Sequence, residues 1–286
     1  MADIEKVGVV GAGLMGSGIA EVHARAGAAV LVTEVDRPAL DAGRARIEKS
    51  LRRGVRSGKL TEREADAALN RVAFTTDLSS FADRDLVVEA VVEQEQAKVD
   101  LFRVLDKIVE RPDAIFASNT SSIPIMKLGM ATGRPEQVVG IHFFNPVPVL
   151  PLVELVPSLL TGEATIRRAE EHATGTLGKT VIRSQDRAGF IVNSLLVPYL
   201  LSAVRMIESG FASAEDIDRG MELGTAHPMG PLRLSDLIGL DTIKAIAESM
   251  YDEFKEPLYS PPPLLLRMVD AGLLGKKSGR GFYSYD

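Results

Sequence analysis

A glycine-rich turn near the N-terminus restricts the fold more than any other feature of this chain. The β-branched run 4–10 leads directly into GAGLMG, which begins at Gly11 and has the spacing GxGxxG. A helical pattern over 17–26 and a second apolar run over 28–33 follow. Strand, glycine turn, helix and strand in this order predict the first βαβ unit of an α/β fold.

The glycines and a carboxylate after the second strand indicate what this unit binds. Gly11 allows the tight turn, Gly13 lets the backbone approach a pyrophosphate, and Gly16 lets the helix pack closely on the strand. The helix N-terminus directs N–H groups at phosphates. Glu34 is placed to accept hydrogen bonds from the adenosine ribose hydroxyls. The predicted cofactor-binding set from this unit is Gly11, Gly13, Leu14, Met15, Gly16 and Glu34.

Glu34 also predicts which dinucleotide is bound. A carboxylate at this position repels a 2′-phosphate and therefore favours NAD over NADP. Arg37 is close in sequence, and its positive charge is expected to soften that preference. NAD is the expected cofactor.

Strands and helices continue to alternate up to Arg183. Predicted strands cover 72–75, 86–92, 114–117, 138–142, 152–156 and 180–183, and predicted helices cover 94–109, 164–177 and two stretches of 37–69 that break near 54–60. Small polar residues at 118–122 follow a predicted strand, where open α/β sheets bind ligands. Ser122 also suits the N-cap of a following helix. The alternation predicts a Rossmann-type domain with a mostly parallel sheet over residues 1–184.

Residues 185–286 are predicted to form an all-α C-terminal domain. The very apolar helix 189–208 contains Asn193, whose burial would require a partner or a function, and Pro198, which is expected to kink the helix or end a segment. Further helices are predicted at 214–223, 232–254 and 261–271, and the aromatic tail is expected to pack back on the domain. A domain of this kind predicts a homodimer.

Composition limits the partners. The net charge of −6 argues against nucleic acid or an anionic membrane surface as a partner, and the lack of cysteine excludes disulfides and thiolate chemistry. No apolar run is long enough to span a bilayer, so no membrane association is expected. The start MADIEKVGVV is strand-like and lacks the features of a signal peptide. A cytoplasmic protein is predicted.

Two polar residues in the apolar segment 141–154 form a candidate site. His142 alone favours a satisfied core histidine. Glu154 is less expected, because burying an unpaired carboxylate is costly. Either these groups find partners, including each other, or they face a cleft.

A basic cluster follows the first βαβ unit, and it has two interpretations. Its members are Lys49, Arg52, Arg53, Arg56 and Lys59. They form either a solvated helix face or an electrostatic docking site for a phosphorylated ligand.

Several blocks in a fixed order make the chain resemble the L-3-hydroxyacyl-CoA dehydrogenase family over essentially its whole length. They include VGVVGAGLMGSGIA at 7–20, ASNTSSIPI at 117–125, GIHFFNPVPVLPLVELV at 140–156, GFIVNSLLVPYL at 189–200 and HPMGPLRLSDLIGLD at 227–241. The resemblance implies an NAD-binding domain, a helical domain and an active site in the cleft between them. It implies NAD-dependent interconversion of (S)-3-hydroxyacyl-CoA and 3-oxoacyl-CoA, with a short-chain acyl-CoA thioester as the expected substrate.

The resemblance also implies roles for individual residues. His142 would be the catalytic base and Glu154 its partner, while Ser121 and Asn193 would hold the substrate. The implied NAD contacts are Glu93, Lys98, Asn145 and Lys277. Ser50 matches a coenzyme A contact; the lysine usual a few residues later has no clean counterpart, and Arg56 or Lys59 would replace it. Departures from the family pattern at Pro151, Ala188 and Ser194 remove none of these groups.

The residue types suit the chemistry. Oxidation of a secondary alcohol needs a base for the hydroxyl proton, and a histidine oriented by a carboxylate provides one without a metal. His23, His172 and His227 have no acidic partner at a suggestive spacing and are predicted to be structural. Two other functions stay open: a related NAD-dependent dehydrogenase of a free hydroxy or sugar acid, and a non-catalytic NAD(H) sensor.

Overall fold

The computed structural model describes residues 4–285. The chain divides into two compact units, Met1–Asp186 and Arg187–Asp286.

Within the described residues, the first unit contains one eight-stranded sheet. Its strands are β1 (Lys6–Val10), β2 (Ala29–Thr33), β3 (Val72–Thr75), β4 (Leu86–Glu89), β5 (Ile115–Ser118), β6 (Val138–Phe143), β7 (Leu152–Pro157) and β8 (Thr180–Arg183). Their spatial order is β3-β2-β1-β4-β5-β6-β7-β8, and every neighbouring pair is parallel except β6 and β7. The short β-branched runs suit a sheet buried on both faces. The predicted mostly parallel Rossmann-type sheet is confirmed.

Helices of this unit connect the strands. They are α1 (Leu14–Arg25), α2 (Arg37–Arg56), α3 (Glu62–Leu69), α4 (Glu95–Ile108), α5 (Ile125–Gly129) and α6 (Glu163–Glu171). The predicted break near 54–60 is confirmed between α2 and α3. The carboxyl ends of β1, β2, β4, β5 and β6 meet at one edge of the sheet because these strands are parallel.

The second unit is helical, as predicted. It contains α7 (Val192–Glu208), α8 (Ala214–Thr225), α9 (Pro231–Ile238), α10 (Leu240–Phe254) and α11 (Pro263–Asp270). The prediction of one helix over 232–254 was wrong, because Gly239 has φ +104° and separates two helices. Pro198 lies inside α7, which continues through it.

The aromatic tail packs on its own unit, as predicted. The backbone N–H groups of Phe282 and Tyr283 donate to Asp236 at 2.9 Å, and the Tyr285 hydroxyl donates to the same carboxylate at 3.0 Å. No helix within residues 4–285 is long and apolar enough to cross a membrane.

Candidate active site

In the glycine turn, a side chain would find space at Gly13 but none at Gly11 or Gly16. A Cβ on Gly16 would lie 1.8 Å from the Gly11 carbonyl oxygen, so helix and turn approach as closely as predicted. Gly11 itself has φ +95°. A Cβ on Gly13 would meet nothing within 4 Å among the described residues. The turn therefore presents open backbone beside the helix N-terminus.

The N-terminus of α1 suits a diphosphate. Gly13 is its N-cap, and within the described chain neither a side-chain cap nor an acidic residue occupies the first turn. The helix dipole and the first N–H groups favour an anion here. Leu14, Val35 and Val92 are large apolar side chains that are 65%, 90% and 64% exposed. Val35 and Val92 carry no signal in the sequence, because exposure of an aliphatic residue is visible only in the structure.

Glu34 holds the glycine turn. Its Oε1 accepts a hydrogen bond from the Ala12 N–H at 2.6 Å, and Oε2 accepts one from the Val35 N–H at 3.2 Å. The cation at this turn is Arg46, whose Nη1 donates to the Ala12 carbonyl at 3.1 Å. Arg37, the residue expected to soften the preference for NAD, instead pairs with Asp41 at 3.2 Å.

His142 and Glu154 contact each other directly across two strands. They are register partners in the antiparallel β6–β7 pair, and both are buried. His142 Nδ1 lies 2.8 Å from Glu154 Oε2, and His142 Nε2 lies 3.1 Å from Ser121 Oγ. The two polar groups are therefore hydrogen-bonding partners, as one of the expected alternatives required.

This geometry defines what the imidazole can do. An ionised carboxylate only accepts hydrogen bonds, so Glu154 favours the tautomer with the proton on Nδ1. Nε2 then carries the lone pair and faces the Ser121 hydroxyl. The arrangement can take a proton at Nε2 and stabilise the resulting imidazolium.

The loop after β5 is held by its own polar side chains. Asn119 Oδ1 accepts a hydrogen bond from the Phe143 N–H at 2.9 Å, and Thr120 Oγ1 accepts one from the Ile123 N–H at 2.9 Å. The suggestion that Ser122 is a helix N-cap was wrong, because α5 begins at Ile125. Asp186 accepts the Ile125 and Met126 N–H groups at 2.6 and 2.7 Å instead.

Glu93 contacts a charged pair formed by the buried residues Lys98 and Glu89. Lys98 is 1% exposed, and its Nζ lies 2.6 Å from Glu89 Oε1 and 3.1 Å from Glu93 Oε2. Glu93 Oε1 accepts hydrogen bonds from Thr120 Oγ1 and from the Ser121 N–H at 2.9 Å. Burial raises the pKa of Glu93, but the Lys98 ammonium and these donors outweigh it and hold the pKa below its usual value.

The remaining predicted residues lie outside this cluster. Asn145 is exposed after β6, and Ser50 and Arg56 lie on α2, where Ser50 is half-buried and Arg56 is exposed. Lys59 borders a cavity of about 600 Å³ with Arg25, Arg71 and Lys179. In the helical unit, Asn193 is buried on α7 and Lys277 Nζ lies 2.6 Å from Asp241.

The histidines predicted to be structural have different surroundings. His23 and His172 are buried and stacked, with ring centroids 5.2 Å apart. His227 is exposed, and its Nδ1 lies 3.2 Å from the Tyr199 hydroxyl oxygen.

Known proteins match both units. Residues 6–187 match the family "3-hydroxyacyl-CoA dehydrogenase, NAD binding domain", and residues 189–285 match its C-terminal domain family. A 3-hydroxybutyryl-CoA dehydrogenase of Mycobacterium tuberculosis is 64% identical over 282 residues, which cover 99% of each chain.

Solved structures agree with these matches. A crystal structure of M. tuberculosis FadB2 has a TM-score of 0.98 at 64% identity and covers 100% of both chains. That of (S)-3-hydroxybutyryl-CoA dehydrogenase from Ralstonia eutropha has a TM-score of 0.91 at 43% identity, covering 99% of this chain and 100% of the other. The protein is therefore an NAD-dependent oxidoreductase that belongs to the 3-hydroxyacyl-CoA dehydrogenase family.

Proposed function

We propose that this enzyme interconverts (S)-3-hydroxyacyl-CoA and 3-oxoacyl-CoA, with 3-hydroxybutyryl-CoA and acetoacetyl-CoA as its preferred pair. The observation that carries the proposal is the contact of His142 with both Glu154 and Ser121 at the edge of the sheet where the NAD fingerprint also lies. The names of the relatives at 64% and 43% identity support the acyl-CoA substrate and its short chain.

In this mechanism His142 is the general base. Bound NAD supplies the hydride acceptor for alcohol oxidation. His142 takes the hydroxyl proton at Nε2, and Glu154 fixes the imidazole orientation and stabilises the imidazolium. In the reductive direction, the same Nε2 returns the proton to the oxygen. Ser121 Oγ, which lies 3.1 Å from Nε2, is placed to donate a hydrogen bond to the reacting oxygen.

Other residues hold the substrate and the cofactor in the proposal. Asn193 is assigned to the substrate, as the family resemblance implies. Glu93, Asn145 and Lys277 are assigned to NAD, together with the glycine turn and Glu34. Lys98 serves the cofactor site through Glu93, because its ammonium is buried against that carboxylate.

The charges near α2 support a coenzyme A site. Ser50 is the proposed contact on α2, and the missing family lysine is replaced by Lys59 rather than Arg56. The support for Lys59 is its place at a cavity of about 600 Å³, whose charged lining is Lys59, Arg25, Arg71 and Lys179 together with the carboxylate of Glu64. Clustered cations of this kind attract phosphates.

The test is NADH oxidation with acetoacetyl-CoA, compared with longer 3-oxoacyl thioesters and with free acetoacetate. We expect turnover of the thioesters, fastest with acetoacetyl-CoA. Turnover of the free acid alone would favour the dehydrogenase of a free hydroxy acid, and NADH binding without turnover would favour the sensor.

The variant His142→Gln tests the general base separately from NADH binding. We expect it to lower kcat by about 10²–10⁴-fold, the usual contribution of a general base, and to leave the NADH affinity unchanged. His227→Gln is the control, because that imidazole is exposed and its Nδ1 lies 3.2 Å from the Tyr199 hydroxyl oxygen, away from His142 and Glu154 in the sequence. Retained turnover in His142→Gln would refute the assignment of the base.

We also propose an assembly, a location and a domain division for this chain. The chain is proposed to act as a homodimer, to reside in the cytoplasm, and to divide into an NAD-binding domain at 1–184 and a substrate and dimerisation domain at 185–286. Light scattering tests the first of these, and a monomeric mass would contradict it.

A further inference from the structure

Glu89 is a buried carboxylate to which the proposed mechanism gives no role. It is the last residue of β4 and is 0% exposed. Its Oε1 accepts hydrogen bonds from the Val91 N–H at 2.7 Å and from Lys98 Nζ at 2.6 Å, and its Oε2 accepts one from Ser118 Oγ at 2.5 Å. Burying a carboxylate is costly unless it is paired, and here every contact lies on the cofactor edge of the sheet.

The contacts of Glu89 continue without interruption to the catalytic histidine. Lys98 contacts Glu89 and Glu93 at once. Glu93 Oε1 then holds the Ser121 N–H at 2.9 Å, and Ser121 Oγ lies 3.1 Å from His142 Nε2. A second route runs through Ser118 Oγ, which accepts the Thr120 N–H at 3.2 Å.

We propose that Glu89 is a positioning residue, which holds Ser121 against His142 through Lys98 and Glu93. The inference rests on the proposed function of Ser121 and His142. Without Glu89, the Lys98 ammonium would have Glu93 as its remaining carboxylate partner and would be free to draw it away from the 120–122 loop. A small displacement of a catalytic group has a large effect on rate, so the loss is expected in kcat rather than in KM.

A cycle of Glu89→Gln and Ser121→Ala tests this connection with acetoacetyl-CoA. Residues that act through one network give non-additive effects, whereas independent effects multiply. We expect Glu89→Gln to lower kcat by about tenfold or more in the wild-type background but by less than about threefold once Ser121 is alanine. The KM for the thioester should change little. Equal losses in the two backgrounds, or an unchanged kcat, would overturn the proposal.

Asp85→Asn is the matched control. Asp85 is also a buried carboxylate, lies just before the opposite end of β4 and accepts the Lys6 N–H at 2.8 Å. This variant should lower thermal stability and leave kcat within about twofold, since it perturbs a carboxylate far from the cofactor edge. A loss of kcat as large as that in Glu89→Gln would mean that replacing any buried carboxylate near β4 has the same effect. That result would overturn the positioning role of Glu89.

Ser118→Ala keeps the test decisive if Glu89→Gln does not fold. It removes one donor to Glu89 and the acceptor of the Thr120 N–H, and it leaves the ion pair with Lys98 intact. It should give a smaller loss of kcat, again non-additive with Ser121→Ala, and additivity would refute the proposal. Wild-type turnover of acetoacetyl-CoA tests the proposed function separately, so the two failures are distinguishable.

Discussion

His142 Nδ1 lies 2.8 Å from Glu154 Oε2, and the two residues face each other across the antiparallel β6–β7 pair. This pair is the one place in the described sheet where neighbouring strands run in opposite directions. The reversal lets the chain return and place a carboxylate 12 positions later directly beside the histidine. Because the contact is a register pairing, the sheet hydrogen bonds fix it.

Glu154→Gln should reduce turnover without unfolding the site. The glutamine amide is nearly isosteric, but its NH₂ group can donate to Nδ1 and favour the tautomer with the proton on Nε2, which cannot accept the substrate proton. We expect kcat to fall by about 10²–10⁴-fold at neutral pH with little change in NADH affinity. The measurement is kcat for acetoacetyl-CoA reduction and for the reverse oxidation.

The two reaction directions provide a second check on Glu154→Gln. Because Glu154 holds the same imidazole in oxidation and in reduction, kcat should fall in both directions. Wild-type rates in both directions would contradict the role of Glu154.

Much of the fold was predictable because local patterns and tertiary structure agree. The β-branched runs and the glycine turn are short-range features, and each predicted strand of the first half is present. The separation of α9 from α10 at Gly239 was not predicted, because the apolar pattern continues across this position. The positive φ of Gly239 separates the two helices. The capping of α5 by Asp186 was missed because the two positions are 61 residues apart.

The candidate site was predictable only in part. His142 and Glu154 are polar residues in an apolar run, and that contrast is visible in the sequence. Glu89 lies in the same kind of run, VVEAVVE. Nothing in the sequence indicates that Lys98 and Ser118 contact this carboxylate, as they do in the structure. Arg46 rather than Arg37 contacts the glycine turn, because a particular face of α2 meets that turn. The distance in sequence from Glu34 does not specify this face.

Glu34→Gln should weaken the discrimination against NADPH. The amide oxygen can still accept the Ala12 N–H, but the charge that repels a 2′-phosphate is gone. We expect the ratio of kcat/KM for NADH to that for NADPH to fall by about tenfold, equivalent to about 1.4 kcal/mol.

Arg46 and Arg37 form a matched pair for that experiment. In the Glu34→Gln background, Arg46→Met should restore part of the discrimination against NADPH, because it removes the guanidinium that contacts the Ala12 carbonyl. Arg37→Met should leave the ratio for NADH and NADPH unchanged, because Arg37 pairs with Asp41. An unchanged ratio in Glu34→Gln would show that Glu34 does not set cofactor choice.

Lys59→Met should raise the KM for acetoacetyl-CoA and leave kcat unchanged. The substrate carries phosphate charges, and Lys59 borders the basic cavity that also contains Arg25, Arg71 and Lys179. We expect an increase of about three- to tenfold at low ionic strength that shrinks as salt is added, since exposed charges are screened.

Two variants sharpen the interpretation of Lys59→Met. Arg103→Met is the control, because Arg103 lies on α4 and pairs with Asp100 at 2.8 Å. If Arg56→Met raises KM and Lys59→Met does not, Arg56 is the counterpart of the missing family lysine. If neither changes KM, the basic cluster is a solvated helix face.

Acid should destabilise the first unit through its stacked histidines. Burial lowers the pKa of His23 to about 4, and burial with the nearby His23 lowers the pKa of His172 to about 3. In the unfolded chain both titrate near 6.5. The stabilisation is therefore fully present above about pH 6.5 and is lost as the pH falls toward the folded-state values, because the unfolded chain binds protons first.

The size of this effect is measurable before the carboxylates titrate. Between pH 7 and pH 5 each histidine should lower the free energy of unfolding by about 2 kcal/mol, at about 1.4 kcal/mol for each pH unit below 6.5. Urea unfolding at these two pH values measures it, with His172→Gln compared with His227→Gln. His172→Gln should be less stable than the wild type at pH 7, but it should lose less stability on acidification. His227→Gln should follow the wild type, and a His172→Gln profile parallel to the wild type would show that the buried pair does not govern the acid response.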